Sequence, residues 1–560
     1  MTSTVLPPRR GLSWLIMLLM LLARPQAQAL QGFTGVHDPS TIVKEGDKYW
    51  IFATGQGIYS MYSTDLVNWT PGPRAVFVNN AYPSWINTKV PGFQGTFWAP
   101  ECVFRNGKYY LYYSCSTFGS KVSAIGLATN VTLDPTSPNY RWEDQGEVVS
   151  SNAASAANAI DPAVFQDSNG DAWLLYGSFF GGIRSTQLNA ATGKPLGTTT
   201  YSLANGDVEA AYMVKQGTYY YLFINRGSCC NGINSTYTVR VGRSTSVSGP
   251  FLDQSGNDLN SNGGTLVLGS GGRYIGAGHA GIFTEGGVNY FSHHYYDGED
   301  NGAPKLNLAK LTWSATGWPI ISRDWVAAGR YEIKNQLSNL VWDAWGCTGA
   351  AGQMIAQGTP SGINCQRWDF TALGNGEYKI TNALGGLAAD VVGCSAAAGA
   401  KLQLLAYSGA ACQRFRIDRA NDGTLVLASA NGNRVVEVPN AATTAGQQLG
   451  LWDYNGCACQ HWSLTAVGGT LATTGSGQLP GVSIYPVPAT QTGFTIELDA
   501  AAGAGATYVS VSDVAGRTLY QGEFGARQQK MLVAKSLPVG LYLVRVQRGG
   551  RMTTQKITVH

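Results

Sequence analysis

The stretch Arg105-Asn106-Gly107-Lys108-Tyr109-Tyr110-Leu111-Tyr112-Tyr113 decides the fold class. Its aromatic half suits an extended strand, and the Asn-Gly pair before it is a turn that joins antiparallel strands. The same unit recurs as Glu45-Gly46-Asp47 before Lys48-Tyr49-Trp50-Ile51-Phe52, and as Ser168-Asn169-Gly170 before Ala172-Trp173-Leu174-Leu175-Tyr176. It returns as Glu285-Gly286-Gly287 before Val288-Asn289-Tyr290-Phe291-Ser292. A turn-plus-strand unit returning at about 60-residue spacing predicts the blades of a β-propeller, with a β-sandwich as the alternative.

At 560 residues the chain is too long for one ordinary core and predicts two to four domains. Gly 71 and 11% aromatic residues against only 13% charged ones fit many tight turns between short strands. The net charge of +4 gives no basis for a nucleic-acid partner or an anionic membrane surface. At the N-terminus, Arg9 and Arg10 precede an apolar run from Leu12 to Leu22, and Ala27-Gln28-Ala29 is a small-residue cleavage frame. Residues 1–29 are therefore expected to be a secretory signal peptide. The run is too short for a membrane span, and no later apolar segment reaches spanning length.

Export makes disulfides available to the ten cysteines. Cys347 to Cys365 and Cys394 to Cys412 share an 18-residue step and predict two equivalent bridges. Cys102 and Cys115 could be a bridge or two buried thiols. The adjacent Cys229 and Cys230 argue against an ordinary bridge.

A second region repeats. Tyr331-Glu332-Ile333 returns 47 residues later as Tyr378-Lys379-Ile380, and Asp343, Asp390 and Glu437 keep the same step. So do Gln366-Arg367-Trp368, Gln413-Arg414-Phe415 and Gln460-His461-Trp462. Three copies of one β-unit predict a threefold trefoil. The expected fold class is all-β: a propeller over 30–327, a β-trefoil over 328–466, a Gly/Thr/Ser-rich linker over 467–481 and a small β-sandwich over 482–560. A propeller closes on itself and needs no partner domain to complete its core.

Three carboxylates stand in related frames: His37-Asp38-Pro39-Ser40, Ala159-Ile160-Asp161-Pro162 and Asp207-Val208-Glu209-Ala210. Cleaving a sugar acetal needs one carboxylic acid to protonate the leaving oxygen and one carboxylate to activate water. With Phe97-Trp98-Ala99-Pro100-Glu101, Ser116-Thr117-Phe118-Gly119-Ser120, Ser178-Phe179-Phe180-Gly181-Gly182, Cys229-Cys230-Asn231-Gly232-Ile233-Asn234-Ser235-Thr236 and Gly276-Ala277-Gly278-His279-Ala280-Gly281, residues 30–327 resemble glycoside hydrolase family 43, its arabinanase branch above all. The resemblance implies a five-bladed propeller and hydrolysis of α-1,5-L-arabinan, a pectin side chain, with inversion and in endo fashion, although the sequence leaves endo against exo action open. An arabinofuranosidase or β-xylosidase of the same family, or a non-catalytic carbohydrate-binding protein, is the alternative.

By the same resemblance Asp38 matches the general base, Glu209 the general acid and Asp161 the carboxylate that orients the acid. Trp98 and Phe118 are expected as stacking walls, with a core aromatic as the alternative reading of each. Asn158 and Ser178 are expected as substrate contacts. His279 matches a histidine linked to a bound ion such as Ca2+, or else is a hydrogen-bonded structural residue. No organic cofactor is expected.

The 47-residue repeat resembles the ricin-B-type lectin module, whose hallmark is Gln-x-Trp in each lobe. Phe415 departs from that pattern. Sugar binding in that family depends on the early acid, here Asp343 and Asp390, with Glu437 third. Cys365, Cys412 and Cys459 stand where a polar residue commonly precedes the glutamine, so a purely structural module is the alternative. The third lobe has Ala441 in place of its first cysteine, which leaves Cys457 without an obvious partner. Ile484-Tyr485-Pro486-Val487-Pro488, Leu537-Pro538-Val539-Gly540-Leu541-Tyr542 and Lys556-Ile557-Thr558-Val559 resemble the sorting domain of the type IX secretion system. That resemblance implies secretion machinery as a partner and a secreted or cell-surface destination.

Overall fold

Both faces of the strand Lys108–Cys115 are buried, which is why five of its residues are aromatic or leucine without polar alternation. Tyr109, Leu111 and Tyr113 pack against Trp50, Phe52 and Phe97 on one side. Tyr110 and Tyr112 pack against Leu174 and Tyr176 on the other. A strand sandwiched between two sheets reads as a continuous apolar run. The computed structural model describes residues 30–467, apart from Asn375 and Asn433, and most of 482–559. The expected signal peptide and nearly all of the 467–481 linker lie outside the described residues.

Five sheets succeed one another along the chain, each with four consecutive antiparallel strands at its centre. Their second strands are Lys48–Ala53, Lys108–Cys115, Ala172–Ser178, Tyr219–Arg226 and Val288–Asp297, and these are the predicted turn-plus-strand units with Tyr219–Arg226 added. Leu175 and Ile183 of blade 3 meet Leu222 and Ile224 of blade 4. Tyr221 and Phe223 of blade 4 meet Phe291 and Leu311 of blade 5. Tyr49 and Ile51 of blade 1 meet Tyr290, Leu306 and Leu308 of blade 5, so the apolar contacts run round a closed ring. The N-terminal segment fastens that closure: Leu306 N–H donates to the Thr34 carbonyl at 2.8 Å, and Gln31–Gly32 pairs with Asn68–Pro71. The first region is a five-bladed β-propeller.

The trefoil is built round Trp342, which meets Trp368 and Trp462 edge-on at 5.5 and 5.6 Å. The indole N–H groups of Trp368 and Trp462 donate to the carbonyls of Trp342 and Val436, each at 3.1 Å. Phe415 is buried in the same cluster without such a donor, so the repeat tolerates it as an apolar plug. Cys347–Cys365 and Cys394–Cys412 are bridged. Two expectations are corrected here: Cys457 has a partner in Cys459, and Cys229 is bridged to its neighbour Cys230. Cys102 and Cys115 are buried free thiols on adjacent strands.

The trefoil is docked on the propeller. Val67 of blade 1 lies in one apolar cluster with Ala420, Val426, Ala428 and Val435. The Tyr454 hydroxyl donates to Asp65 Oδ2 at 2.7 Å, and Asn421 donates to the Thr64 carbonyl at 3.0 Å. Arg416, fully buried, reaches Glu377 of its own module at 2.7 Å and Glu299 of the propeller at 3.4 Å.

Residues 482–559 form a separate seven-stranded β-sandwich whose core includes Ile496, Val511, Met531, Val544 and Ile557. Among the described residues no helix is long and apolar enough to cross a membrane.

Candidate active site

Each blade enters its innermost strand through one residue with a left-handed backbone: Asp38 (φ 47°), Ala99 (φ 41°), Asp161 (φ 54°), Ala210 (φ 49°) and His279 (φ 63°). Non-glycine residues rarely adopt this conformation, and it persists where surrounding structure over-determines it. Here the constraint is visible. The N–H of Ala99 donates to Thr54 Oγ1 (2.8 Å), that of Asp161 to Ser114 Oγ (2.9 Å) and that of His279 to Asn225 Oδ1 (3.1 Å). The N–H of Asp38 donates to His294 Nδ1 at 3.1 Å, which closes the ring from blade 5 back to blade 1. Each acceptor comes from the second strand, or just beyond it, of the preceding blade.

The equivalent place in blade 3 is Gly177, whose N–H pairs with the Ile160 carbonyl. A Cβ there would lie 2.2 Å from the Gly182 carbonyl oxygen, so no side chain can be offered. The carboxylate of Asp161 takes its place, and Ala210 N–H donates to Asp161 Oδ2 at 3.2 Å. Asp161 thereby holds the backbone next to Glu209.

Asp38, Asp161 and Glu209 converge on one cavity of about 1020 Å³. Its wall includes Trp98, Phe118, Phe179, Tyr237, Tyr296 and the Cys229–Cys230 pair. Phe118 is 89% exposed and stands on the rim as a free ring face. Asn158 and Ser178 are not on the cavity wall. Both are buried, and Ser178 Oγ donates to Asn158 Oδ1 at 2.9 Å, so they brace the blade and do not face a ligand.

The surroundings lower the pKa of one of the three carboxyls and raise the other two. Burial works to raise the pKa of Asp38, but His37 beside it, by charge and hydrogen bond, with His279 and His294, holds it well below the usual carboxylate range. Burial pushes Glu209 up to about 7, and the charge of Asp38 adds to this against a hydrogen bond from Tyr237. Burial, then the charges of Glu209 and Asp38, pushes Asp161 well up. Below about pH 7 the cavity therefore offers an ionised Asp38 and a protonated Glu209, the division of labour that acid–base hydrolysis needs.

The donors near His279 do not make a calcium cage from protein atoms. Calcium takes six to eight oxygens. His279 Nδ1 is 3.6 Å from Asp38 Oδ1, while the other Asp38 oxygen already accepts from Thr54 and His37. Cys229 and Cys230 are committed to their disulfide, and among the described histidines and carboxylates the ligand atoms that gather within 4.8 Å of one another are those of His37, Asp38 and His294, without His279.

In the trefoil, Asp343 is half-buried and accepts from Gln366 Nε2 at 2.7 Å. Asp390 is 3% exposed with its carboxylate accepting from Gln403 at 2.8 Å, so its expected place as a direct sugar contact is corrected: no free face of the acid reaches the surface. Glu437 is likewise buried against Gln460.

Residues 31–319 match the family described as Glycosyl hydrolases family 43. The chain belongs to that family. It is 40% identical over 323 residues to an extracellular exo-alpha-(1->5)-L-arabinofuranosidase of Cellvibrio japonicus, across 55% of this chain and 91% of the relative. It is 39% identical over 313 residues to an extracellular endo-alpha-(1->5)-L-arabinanase of Bacillus subtilis, across 54% of this chain and 93% of the relative. The family 43 region also matches the crystal structure of an exo-1,5-alpha-L-arabinanase from a bovine ruminal metagenomic library, with 42% identity, TM-score 0.50, and 53% and 99% of the two chains covered. Residues 313–405 and 408–482 match the ricin-type beta-trefoil lectin domain-like family, and 483–560 the secretion system C-terminal sorting domain. This family 43 chain is thus a glycoside hydrolase with a lectin-like trefoil and a sorting domain, directed to the cell surface or beyond by type IX secretion.

Several cavity residues had no separate signal in the sequence. Tyr296 lies in a strand that reads as ordinary aromatic β-structure, and Thr54 follows a strand end. Only the register of Thr54 against His37 brings its hydroxyl to Asp38.

Proposed function

We propose that this chain hydrolyses α-1,5-linked L-arabinan in endo fashion with inversion at the anomeric carbon. Asp38 takes a proton from the attacking water, Glu209 protonates the departing glycosidic oxygen, and Asp161 orients Glu209. The observation that carries the reading is the convergence of Asp38, Asp161 and Glu209 on the wall of one cavity. The exposed ring of Phe118, with Trp98, offers apolar faces to the C–H faces of furanose rings. The arabinan substrate is supported by the names of the relatives. Those names include both exo- and endo-acting enzymes at similar identity, so identity carries no weight in that choice.

The trefoil is proposed to hold the enzyme on plant cell wall, with Asp343 as its half-exposed acid. A bound ion near His279, with water supplying most of its oxygen ligands, is a further part of this reading, and no step of the reaction is assigned to it.

Product sizes and anomeric configuration from linear arabinan test the reading. Early release of a range of oligosaccharides with inverted configuration is expected. A single short product from the chain end would replace endo by exo action, and retained configuration would remove the assigned roles of Asp38 and Glu209.

A further inference from the structure

The two oxygens of Asp38 are treated differently by their surroundings. Oδ2 accepts the Thr54 hydroxyl hydrogen at 2.8 Å and lies 2.8 Å from His37 Nδ1. Oδ1 has His294 Nδ1 at 3.5 Å and His279 Nδ1 at 3.6 Å, both beyond a good hydrogen bond. The hydrogens needed at Oδ2 follow from the network. A threonine hydroxyl has one hydrogen, and because Thr54 Oγ1 already accepts the Ala99 N–H at 2.8 Å, that hydrogen is committed to Asp38. His37 Nε2 is 2.7 Å from the Tyr296 hydroxyl, and that hydroxyl accepts the Cys230 N–H at 2.7 Å. Whichever way that pair is oriented, Asp38 Oδ2 is a carboxylate oxygen that can only accept, so Nδ1 of His37, 2.8 Å away, carries the hydrogen donated to Asp38. The same is not available at Oδ1, since His294 Nδ1 is itself an acceptor for the Asp38 N–H at 3.1 Å.

We propose that Thr54 is a positioning residue for the reaction: with His37 it saturates Asp38 Oδ2 and leaves Oδ1 as the atom that takes the proton from water. Thr54 does this from the blade 1 place in the ring of inter-blade ties, so one hydroxyl fixes both the carboxylate of blade 1 and the entry to blade 2. The balance is simple. Water loses a proton to Oδ1 as its oxygen bonds the anomeric carbon, and the glycosidic oxygen leaves with the proton from Glu209. This inference rests on the proposed role of Asp38.

The test is kinetic and uses the full chain, with Thr54→Val, which keeps the shape and removes the hydroxyl, and Thr54→Ser, which restores it. Misplacing a reacting group by ~1 Å can cost about 10²-fold. Thr54→Val is expected to lower kcat about 10- to 100-fold with KM within about twofold, because the lost bond acts on a reacting group and not on sugar binding. The acidic limb of the pH profile is expected to move to higher pH, because the carboxylate loses a donor that favours its charged form. The charged and titratable groups facing Asp38 (His37, His279, His294, Asp161 and Glu209) are unchanged in the variant, as are Tyr59 and Tyr296, whose hydroxyls burial keeps neutral. Thr54→Ser should restore both kcat and the limb. Wild-type kcat and an unmoved limb in Thr54→Val, beside an inactive Asp38→Asn, would overturn the positioning role alone. A loss of kcat that follows a lowered Tm, with the limb unmoved and no rescue by Ser, would overturn it too. Turnover retained in Asp38→Asn would overturn the reading beneath it as well.

Discussion

Tyr237 donates its hydroxyl hydrogen to Glu209 Oε1 at 2.6 Å, and both side chains are buried in the cavity wall. A hydrogen bond to the charged form favours that form, so Tyr237 restrains a pKa that burial has already pushed up to about 7. The acid role needs Glu209 protonated, which places the basic limb of the kcat profile near pH 7 and full activity below it. Removing the hydroxyl in Tyr237→Phe takes away the restraint and is expected to move that limb to higher pH. A limb that stays in place or moves down would show that another group sets it.

Asp38→Asn and Glu209→Gln are expected to lower kcat by about 10²–10⁴ each, the range for losing a positioned base or acid. Both replacements keep shape and size, so Tm should stay near that of the wild type. Near-normal turnover of either purified variant would remove that residue from the mechanism. Azide should yield no retained product with the Asp38 variant, because inversion passes through no covalent intermediate.

Much of this was legible in the sequence where chemistry and repetition coincide. Tyr109 to Tyr113 announced a strand, and the structure adds why both its faces are apolar: one meets blade 1 and the other blade 3. The 47-residue step among Trp368, Phe415 and Trp462 was readable because those aromatics share one core. Thr54 was not, since it acts through a pairing between blades that no local pattern encodes. Asn158 and Ser178 misled for the opposite reason. They sit close in sequence to Ile160 and Phe179, which do face the cavity, but their own side chains are buried and hydrogen-bonded to each other.

The docking of the trefoil predicts a stability cost that a freely tethered module would not impose. Arg416 is 1% exposed between Glu377 and Glu299. Arg416→Ala removes the hydrogen bonds of a buried charged side chain but leaves Glu377 paired with Arg414 at 3.0 Å and Glu299 with Arg273 at 2.9 Å, so it is expected to cost about 2 kcal/mol. Truncation within Ala327-Ala328-Gly329 should leave hydrolysis of soluble arabino-oligosaccharides near normal, because Asp38, Asp161 and Glu209 all belong to the propeller. It should also lower Tm by uncovering Val67 and Asp65. An unchanged Tm in the truncated chain would show that this contact contributes nothing to folding.

The last prediction concerns the route out of the cell. The described residues of 482–559 bury their own core of Val, Ile, Leu and Met side chains. The carboxylates and exposed aromatics that would handle sugar lie in the propeller, while the C-terminal sandwich matches the secretion system sorting domain. A domain that folds by itself and carries no acid-and-aromatic site is suited to be read by transport machinery. Deleting 482–560 in a host with type IX secretion should therefore leave folded, active enzyme in the periplasm. Fractionation with an arabinan assay on each compartment measures this directly. If the shortened chain reached the surface or the medium at the wild-type level, the sandwich would not be the export signal.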